Sequence, residues 1–400
     1  MFVDMKPKIL MIGWELPPFN SGGLGEACFG LCKALSEKGV EITFVLPQKL
    51  DVNIDFMKVV FANGVGSIAK LQNSYTNYAE WLKKYAKFGK VSPFDFIGGA
   101  LRYAEDIGEI AKAEHADIIH THDWLTYPAG IVAKNIIKKP LVAHVHATEI
   151  DRTGGIYPNP IVYEIEKSGF LTADRVIPVG GFMKNVLIEK YGVPAEKITV
   201  VYNGINKDSK KYLTPALGPL KKMGYKIVLY LGRITLQKGP EYFVRAAKIV
   251  SEYLPKTVFA VTGSGDMQDY MVSEAARLGV LDKFIFTGFL RGDERDMMFK
   301  AADVYVMPSV SEPFGMVALE AVNMGTPTII SKQSGVSEVL KNALKVDFWD
   351  IEEIANKIIA VLKYKSLPQD LVSESTKEID NLSWGKSADK LLSIYNQLIP

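Results

Sequence analysis

The chain has 400 residues, 48% hydrophobic and 23% charged, with a formal net charge of +2. That length exceeds one ordinary hydrophobic core and points to two domains. The near-balanced charge makes no strong electrostatic case for nucleic-acid binding.

Near its start the chain passes from Met5-Lys6-Pro7 straight into an apolar strand, Lys8–Gly13, and no apolar stretch of signal length is expected there. No run approaches the length of a membrane span, so the expected location is cytoplasmic. A Pro- and Gly-rich loop, Glu15–Gly25, contains Ser21-Gly22-Gly23-Leu24-Gly25. The pattern then predicts a helix from about Glu26 to Lys38 and a strand over Val40–Leu46. Cys28 and Cys32, the two cysteines, fall four apart on that helix. They share a helix face rather than forming a disulfide framework, which fits a reducing compartment. Strand, glycine loop, helix and strand together make the opening unit of a doubly wound sheet.

Residues 51–112 carry weaker signals: a strand over Phe56–Phe61 and a helix over Tyr78–Lys87 with a basic edge of Lys83, Lys84 and Lys87. That edge reads as a solvated helix face, with a membrane surface as its alternative. Strands return at Asp117–His122 and Leu141–His146, each followed by a polar run: Asp123-Trp124 after the first, Ala147-Thr148-Glu149-Ile150-Asp151-Arg152 after the second. In a parallel sheet, ligands bind beyond such carboxyl ends. All five histidines lie here: His115, His120, His122, His144 and His146. Two H-x-H pairs on adjacent strands have a metal-ligand reading. Alternation along a strand equally makes them buried, hydrogen-bonded rings, and the reading taken is no metal. Arg175–Val179 and Ile198–Tyr202 are expected to complete this half.

Residues 205–225, with Lys207, Asp208, Ser209, Pro215 and Pro219, read as an interdomain linker. A second α/β series follows, with strands at Lys226–Leu231, Thr257–Thr262, Phe284–Thr287, Val304–Met307 and Thr328–Ile330. The first ends in Gly232-Arg233-Ile234-Thr235-Leu236-Gln237-Lys238-Gly239, two cations on a strand-end loop that suit a diphosphate. Gly263-Ser264-Gly265 and Gly288-Phe289 are candidate walls for a nucleotide base. Ser311–Glu320 reads S-E-P-F-G-M-V-A-L-E. Glu312 sits in its loop, Glu320 in the second turn of the following helix, and the amides of Gly315, Met316 and Val317 open that helix without intrahelical partners. Two carboxylates suit hydroxyls and the helix start suits phosphate. Finally, Ser383 N-caps a helix over Trp384–Leu398. Ser387, Asp389 and Asn396 are expected in solvent there, and Leu391, Leu392, Tyr395 and Leu398 on its apolar face.

Taken together, the Gly23 loop, strand-end His146, Arg233 with Lys238, and E-P-F-G-M-V-A-L-E resemble the retaining glycosyltransferases with two Rossmann-like domains, the GT-B type. The match is to family 4 (group 1), with similarity to starch and glycogen synthases through Gly22-Gly23-Leu24-Gly25 and His122-Asp123-Trp124. The resemblance implies an α/β fold of two doubly wound domains facing across a cleft, with a C-terminal helix crossing back. Its domains would be 1–205 on the acceptor side, 206–382 on the nucleotide-sugar side, and 383–400 packing on the first.

Carried over residue by residue, Arg233 and Lys238 hold the donor diphosphate. Glu312 takes sugar hydroxyls and His146 contacts the sugar near the reacting carbon. Gly22, Gly23, Gly265, Phe289, Phe314, Gly315, Met316, Val317 and Glu320 line the donor, with Glu320 on the ribose. Asp123, Glu149 and Asp151 are acceptor-side candidates. Two departures from starch synthases stand out. Asn20 replaces a Lys two residues before the paired glycines, and Glu320 is a glutamate those enzymes lack.

The implied activity is metal-independent transfer of a hexose, glucose first, from a UDP-, ADP- or GDP-hexose, with no cofactor. The acceptor is an α-glucan or another carbohydrate, with a lipid or small molecule as the alternative; a non-catalytic nucleotide-sugar sensor is the reading of another class. Neither nucleic acid nor membrane is an expected partner, and oligomeric state is open.

Overall fold

Short apolar runs separated by amphipathic helices can bury both faces of a sheet only if the sheet is parallel and covered on each side. The computed structural model, which describes residues 6–20, 22–62, 96–207 and 217–399, has two such sheets. The expected helix over Tyr78–Lys87, with Lys83, Lys84 and Lys87, lies outside those residues, as do Ser21 and the linker residues Asp208, Ser209 and Pro215.

The first sheet comprises β1 (Lys8–Ile12), β2 (Glu41–Leu46), β3 (Lys58–Phe61), β4 (Ile118–His122), β5 (Leu141–Val145) and β6 (Arg175–Pro178) in the order β3-β2-β1-β4-β5-β6. The second comprises β7 (Lys226–Leu231), β8 (Thr257–Thr262), β9 (Phe284–Gly288), β10 (Val304–Met307), β11 (Thr328–Ser331) and β12 (Leu344–Val346), ordered β12-β11-β10-β7-β8-β9. Every pairing is parallel. Read from opposite edges, the two orders are the same. Each reverses direction next to its own first strand, between β1 and β4 and between β7 and β10. Ligands of open α/β sheets bind at that reversal, outside the carboxyl ends of the strands.

The chain divides into two units. The first is residues 1–150, 155–204 and 383–400; the second is residues 151–154 and 205–382. In the first, Gly30 of the helix Gly23–Glu37 faces the Trp384 indole so closely that a Cβ there would stand 2.5 Å from it. Gly204 likewise lies against the backbone of Ser383 and Trp384. The helix Trp384–Leu398 is therefore seated by glycines on its neighbours as well as by its own apolar face. The second unit is cored by Val228, Phe243, Phe259, Val304, Ile329 and Ile354, all fully buried.

Three sequence expectations are corrected. Ile198–Tyr202 is not a strand. It makes one isolated bridge, Val176 to Ile198, and two backbone bonds to the edge strand β6. Ser387 is buried rather than solvent-facing, because its hydroxyl donates to the Tyr202 carbonyl at 2.7 Å. The first helix starts at Gly23, three residues ahead of Glu26. A glycine costs little in a first turn whose amides lack intrahelical partners anyway.

Candidate functional site

In the second unit, the loops after β7 and β10 meet at the sheet's reversal. Past β7 the chain turns through Arg233 into a short 3-10 turn, Leu236–Lys238, ending at Gly239 in the left-handed region (φ 63°). A Cβ at Gly239 would lie 2.1 Å from the Pro308 carbonyl, so glycine lets the two loops touch. The Val310 amide donates to the Gln237 carbonyl at 2.9 Å, lacing them together. Past β10, Glu312 is held by its own backbone: its amide donates to Gln333, and its carbonyl accepts from Gly335. Gly335 has no room for a side chain, since its Cβ would sit 2.3 Å from the Pro313 carbonyl.

These loops carry five polar side chains that pair with one another. Lys238 Nζ is ion-paired with Glu312 Oε2. Ser309 Oγ donates to the same oxygen at 3.2 Å. Arg233 Nη2 donates to Gln237 Oε1 at 3.2 Å. Glu312 is 7% exposed, far below the solvated glutamate of a plain surface loop. Its charge reaches the buried Tyr230 and Tyr305 phenols, both held well above their ordinary range mainly by burial and next by Glu312.

Gly315 (φ 106°) turns the chain into the helix Met316–Asn323, with Phe314 buried behind it and Met316 and Val317 half-buried in its first turn. Glu320, on that helix, accepts from Arg295 Nη1 at 3.1 Å, and Arg295 also grips Asp296 at 3.0 Å. Gly265 is pressed against the Ile234 carbonyl, and Phe289 is 54% exposed with the Arg291 guanidinium 5.0 Å from its ring. The structure thus brings Lys238 and Glu312 together, and it adds Gln237, Ser309 and Arg295. Those three carry no periodic or spacing signal in the sequence.

In the first unit, the loops after β1 and β4 flank the other reversal. Beyond their chain neighbours and the adjoining helix backbone, no atom among the described residues lies within 4 Å of where a Cβ would stand on Gly22 or Gly23, and neither has a positive φ. The protein's own packing does not require glycine there. Asn20 Nδ2 donates to the Gly22 carbonyl at 2.9 Å and so shapes the turn.

Asp123, 6% exposed, accepts the amides of His146 and Ala147 on one oxygen, at 2.7 and 3.2 Å, and fixes the backbone after β5. Glu149 accepts the Asn159 amide at 3.0 Å. Asp151 belongs to the second unit, where Ser311 Oγ donates to it at 2.6 Å. Each of the three acceptor-side candidates therefore has a carboxylate oxygen engaged within the protein.

Four of the five histidines converge in the first unit. His115 is exposed on a turn, apart from the others. His120, His122 and His144 are fully buried and His146 half-buried, and burial lowers the basicity of all four, to about 3 at His146. Two overlapping trios, Cys28-His122-His146 and His120-His122-His144, have ligand atoms within 4.8 Å of one another. Their rings, however, lie in stacks with interplanar angles of 16–18° for His144–His146 and His120–His122. Stacked rings aim in-plane lone pairs along parallel planes, not at one point, and the inner nitrogens face each other at 3.0–3.2 Å.

Residues 21–209 match the family described as Glycosyltransferase Family 4, and residues 218–378 match Glycosyl transferases group 1. The chain is 32% identical to an uncharacterized glycosyltransferase of Methanocaldococcus jannaschii, over 97% of each chain. It is 30% identical to a glycogen synthase of Mycobacterium tuberculosis, over 84% of this chain and 80% of that one. Among solved structures, a sucrose-phosphate synthase from Thermosynechococcus elongatus superposes with a TM-score of 0.78 at 20% identity, covering 98% of this chain and 99% of the other. That likeness is one of fold. Among the described residues no helix is long and apolar enough to cross a membrane.

Proposed function

Because the chain belongs to the family 4, group 1 glycosyltransferases of GT-B fold, we propose that it moves a hexose, glucose first, from a nucleotide-diphosphate sugar to an acceptor hydroxyl with retention at the anomeric carbon. The observation that carries this reading is the Lys238–Glu312–Ser309 cluster, with Arg233 on the same loop, at the reversal of the second sheet. A diphosphate needs cations in a fixed frame, and sugar hydroxyls need an acceptor-only group; this cluster has both. Arg233 and Lys238 neutralise the leaving nucleoside diphosphate, so the reading calls for no metal at that step. Glu320, steadied by Arg295, takes the ribose hydroxyls.

In the step itself the bond from the anomeric carbon to the phosphate oxygen breaks and one to the acceptor oxygen forms on the same face. The acceptor proton passes to the departing phosphate. The protein contributes positioning and charge stabilisation. Glu312 and Glu320 stand on a loop and on a helix in separate hydrogen-bond settings, unlike the facing acid and base of a glycosidase. In the first unit the His146 ring is the sugar-side candidate, its backbone held by Asp123, and Gly22 and Gly23 are positions open to a close ligand approach. Identity to a glycogen synthase supports an α-glucan as the first acceptor to try.

The experiment is a thermal-shift screen across UDP-, ADP- and GDP-hexoses, since a ligand that binds only the folded chain raises its melting temperature. The stabilising donor is then incubated with glucan, and nucleoside diphosphate release and the product's anomeric configuration are read. Release with an α-linked product supports the proposal. An inverted product or no release with any acceptor refutes it.

A further inference from the structure

β4 and β5 pair in parallel with His122 opposite His144. Side chains two apart on a strand share a face, so His120, His122 and His144 project from one side of the sheet, and His146 follows two residues on. The rings form two stacks, His120 on His122 at 4.7 Å and His144 on His146 at 4.5 Å between centroids. Between the stacks the nitrogens meet edge to edge: His120 Nε2 is 3.2 Å from His144 Nδ1, and His122 Nδ1 is 3.0 Å from His146 Nε2. At the outer ends, His120 Nδ1 lies 2.6 Å from the Tyr395 hydroxyl, and His122 Nε2 lies 2.9 Å from Met11 Sδ.

A neutral imidazole has one donor nitrogen and one acceptor. Burial keeps these rings neutral. A thioether sulfur accepts and has no proton to give. His122 Nε2 therefore carries the proton, since a nitrogen lone pair held against sulfur would be repelled. His122 Nδ1 is then the acceptor, and His146 Nε2 must donate to it. We propose that Met11, acting through His122, fixes His146 in its Nε2–H tautomer, leaving Nδ1 as a lone pair that accepts a hydrogen bond from a sugar hydroxyl and donates none. Met11 and His122 are positioning residues in this scheme. It rests on the reading that His146 meets a sugar, but the tautomer itself follows from the protein alone. A ring so fixed selects a hydroxyl as donor and has no proton to give a leaving group.

The test is long-range proton–nitrogen correlation spectroscopy on the full chain carrying nitrogen-15 histidine, which separates pyrrole-type from pyridine-type nitrogens. His146→Asn assigns the His146 signals. The expected native spectrum shows protonated Nε2 and bare Nδ1 at both His122 and His146. Met11→Leu keeps the side-chain volume and removes the acceptor, and His146 is then expected to lose its single tautomer. His122→Asn places an amide oxygen where Nδ1 stood and should retain Nε2–H at His146, whereas His122→Leu should not. A native His146 protonated on Nδ1, metal-bound shifts on these rings, or a Met11→Leu spectrum unchanged at His146 would overturn the proposal. If Met11→Leu does not fold, the native spectrum decides alone. The spectrum is read without any sugar, so failure of the donor screen and failure of the tautomer assignment are separate results.

Discussion

Lys238 and Glu312 stand 74 positions apart in the chain and meet because each closes a loop at the same reversal of strand order. Glu312→Gln keeps shape and removes charge, so turnover should fall by about 10²–10³, the usual cost of one preorganised charge-stabilising group. Lys238→Ala should lower turnover similarly and also destabilise, by about 1–3 kcal/mol, because it strips the cation from a carboxylate that is nearly buried. Parallel denaturant titrations and steady-state rates separate the two effects. Arg295→Gln removes the guanidinium that Glu320 accepts from, and the expected change is a several-fold rise in KM for the nucleotide sugar with kcat little altered. These carboxylates and cations were legible in sequence because loop position and spacing marked them. Gln237, Ser309 and Arg295 were not, since their roles arise only when loops from different strands touch. Ser387 was misplaced for a related reason: a serine on a helix face looks solvated until the carbonyl it serves is known.

Glycines at the two reversals do different work, and substitution tells them apart. A Cβ on Gly335 would strike the Pro313 carbonyl. Gly335→Ala should therefore cost about 1–3 kcal/mol, as overpacking does, and shift the Glu312 loop. Gly23→Ala meets nothing within 4 Å. Its melting temperature should match the parent, while activity falls if a phosphate approaches that backbone. Unchanged activity would remove Gly23 from the donor site. Most strands could be read from apolar runs bounded by turns. β12 could not, because three residues (Leu344–Val346) show no alternation. The helix Phe96–Glu114 was obscured by Gly98 and Gly99 in its first turn, which weaken its local propensity. Ile198–Tyr202 has a strand's composition without a strand's pairing, a matter its tertiary surroundings settle.

At the scale of the whole molecule, the doubled strand–helix series is enough to announce two Rossmann-like halves, since each half repeats the same local grammar. What composition could not announce is the effect of acid. His120, His122, His144 and His146 all have folded-state pKa values below the ordinary 6.5, because burial disfavours their charged form. Between those values and 6.5 the unfolded chain binds protons that the folded chain does not, so stability rises with pH and is lost as pH falls below about 6.5. Each ring contributes a slope of up to about 1.4 kcal/mol per pH unit. Melting temperatures between pH 7.5 and 5 should drop steeply, and less steeply in His144→Gln; a flat profile would contradict the buried neutral stack.

The most direct measurement is calorimetric titration of the parent chain and of Lys238→Ala with the nucleotide-diphosphate hexose that stabilises the fold. The account predicts saturable binding by the parent and at least tenfold weaker binding by the variant. Equal affinity in both, or no binding of any nucleotide sugar by the parent, would contradict it.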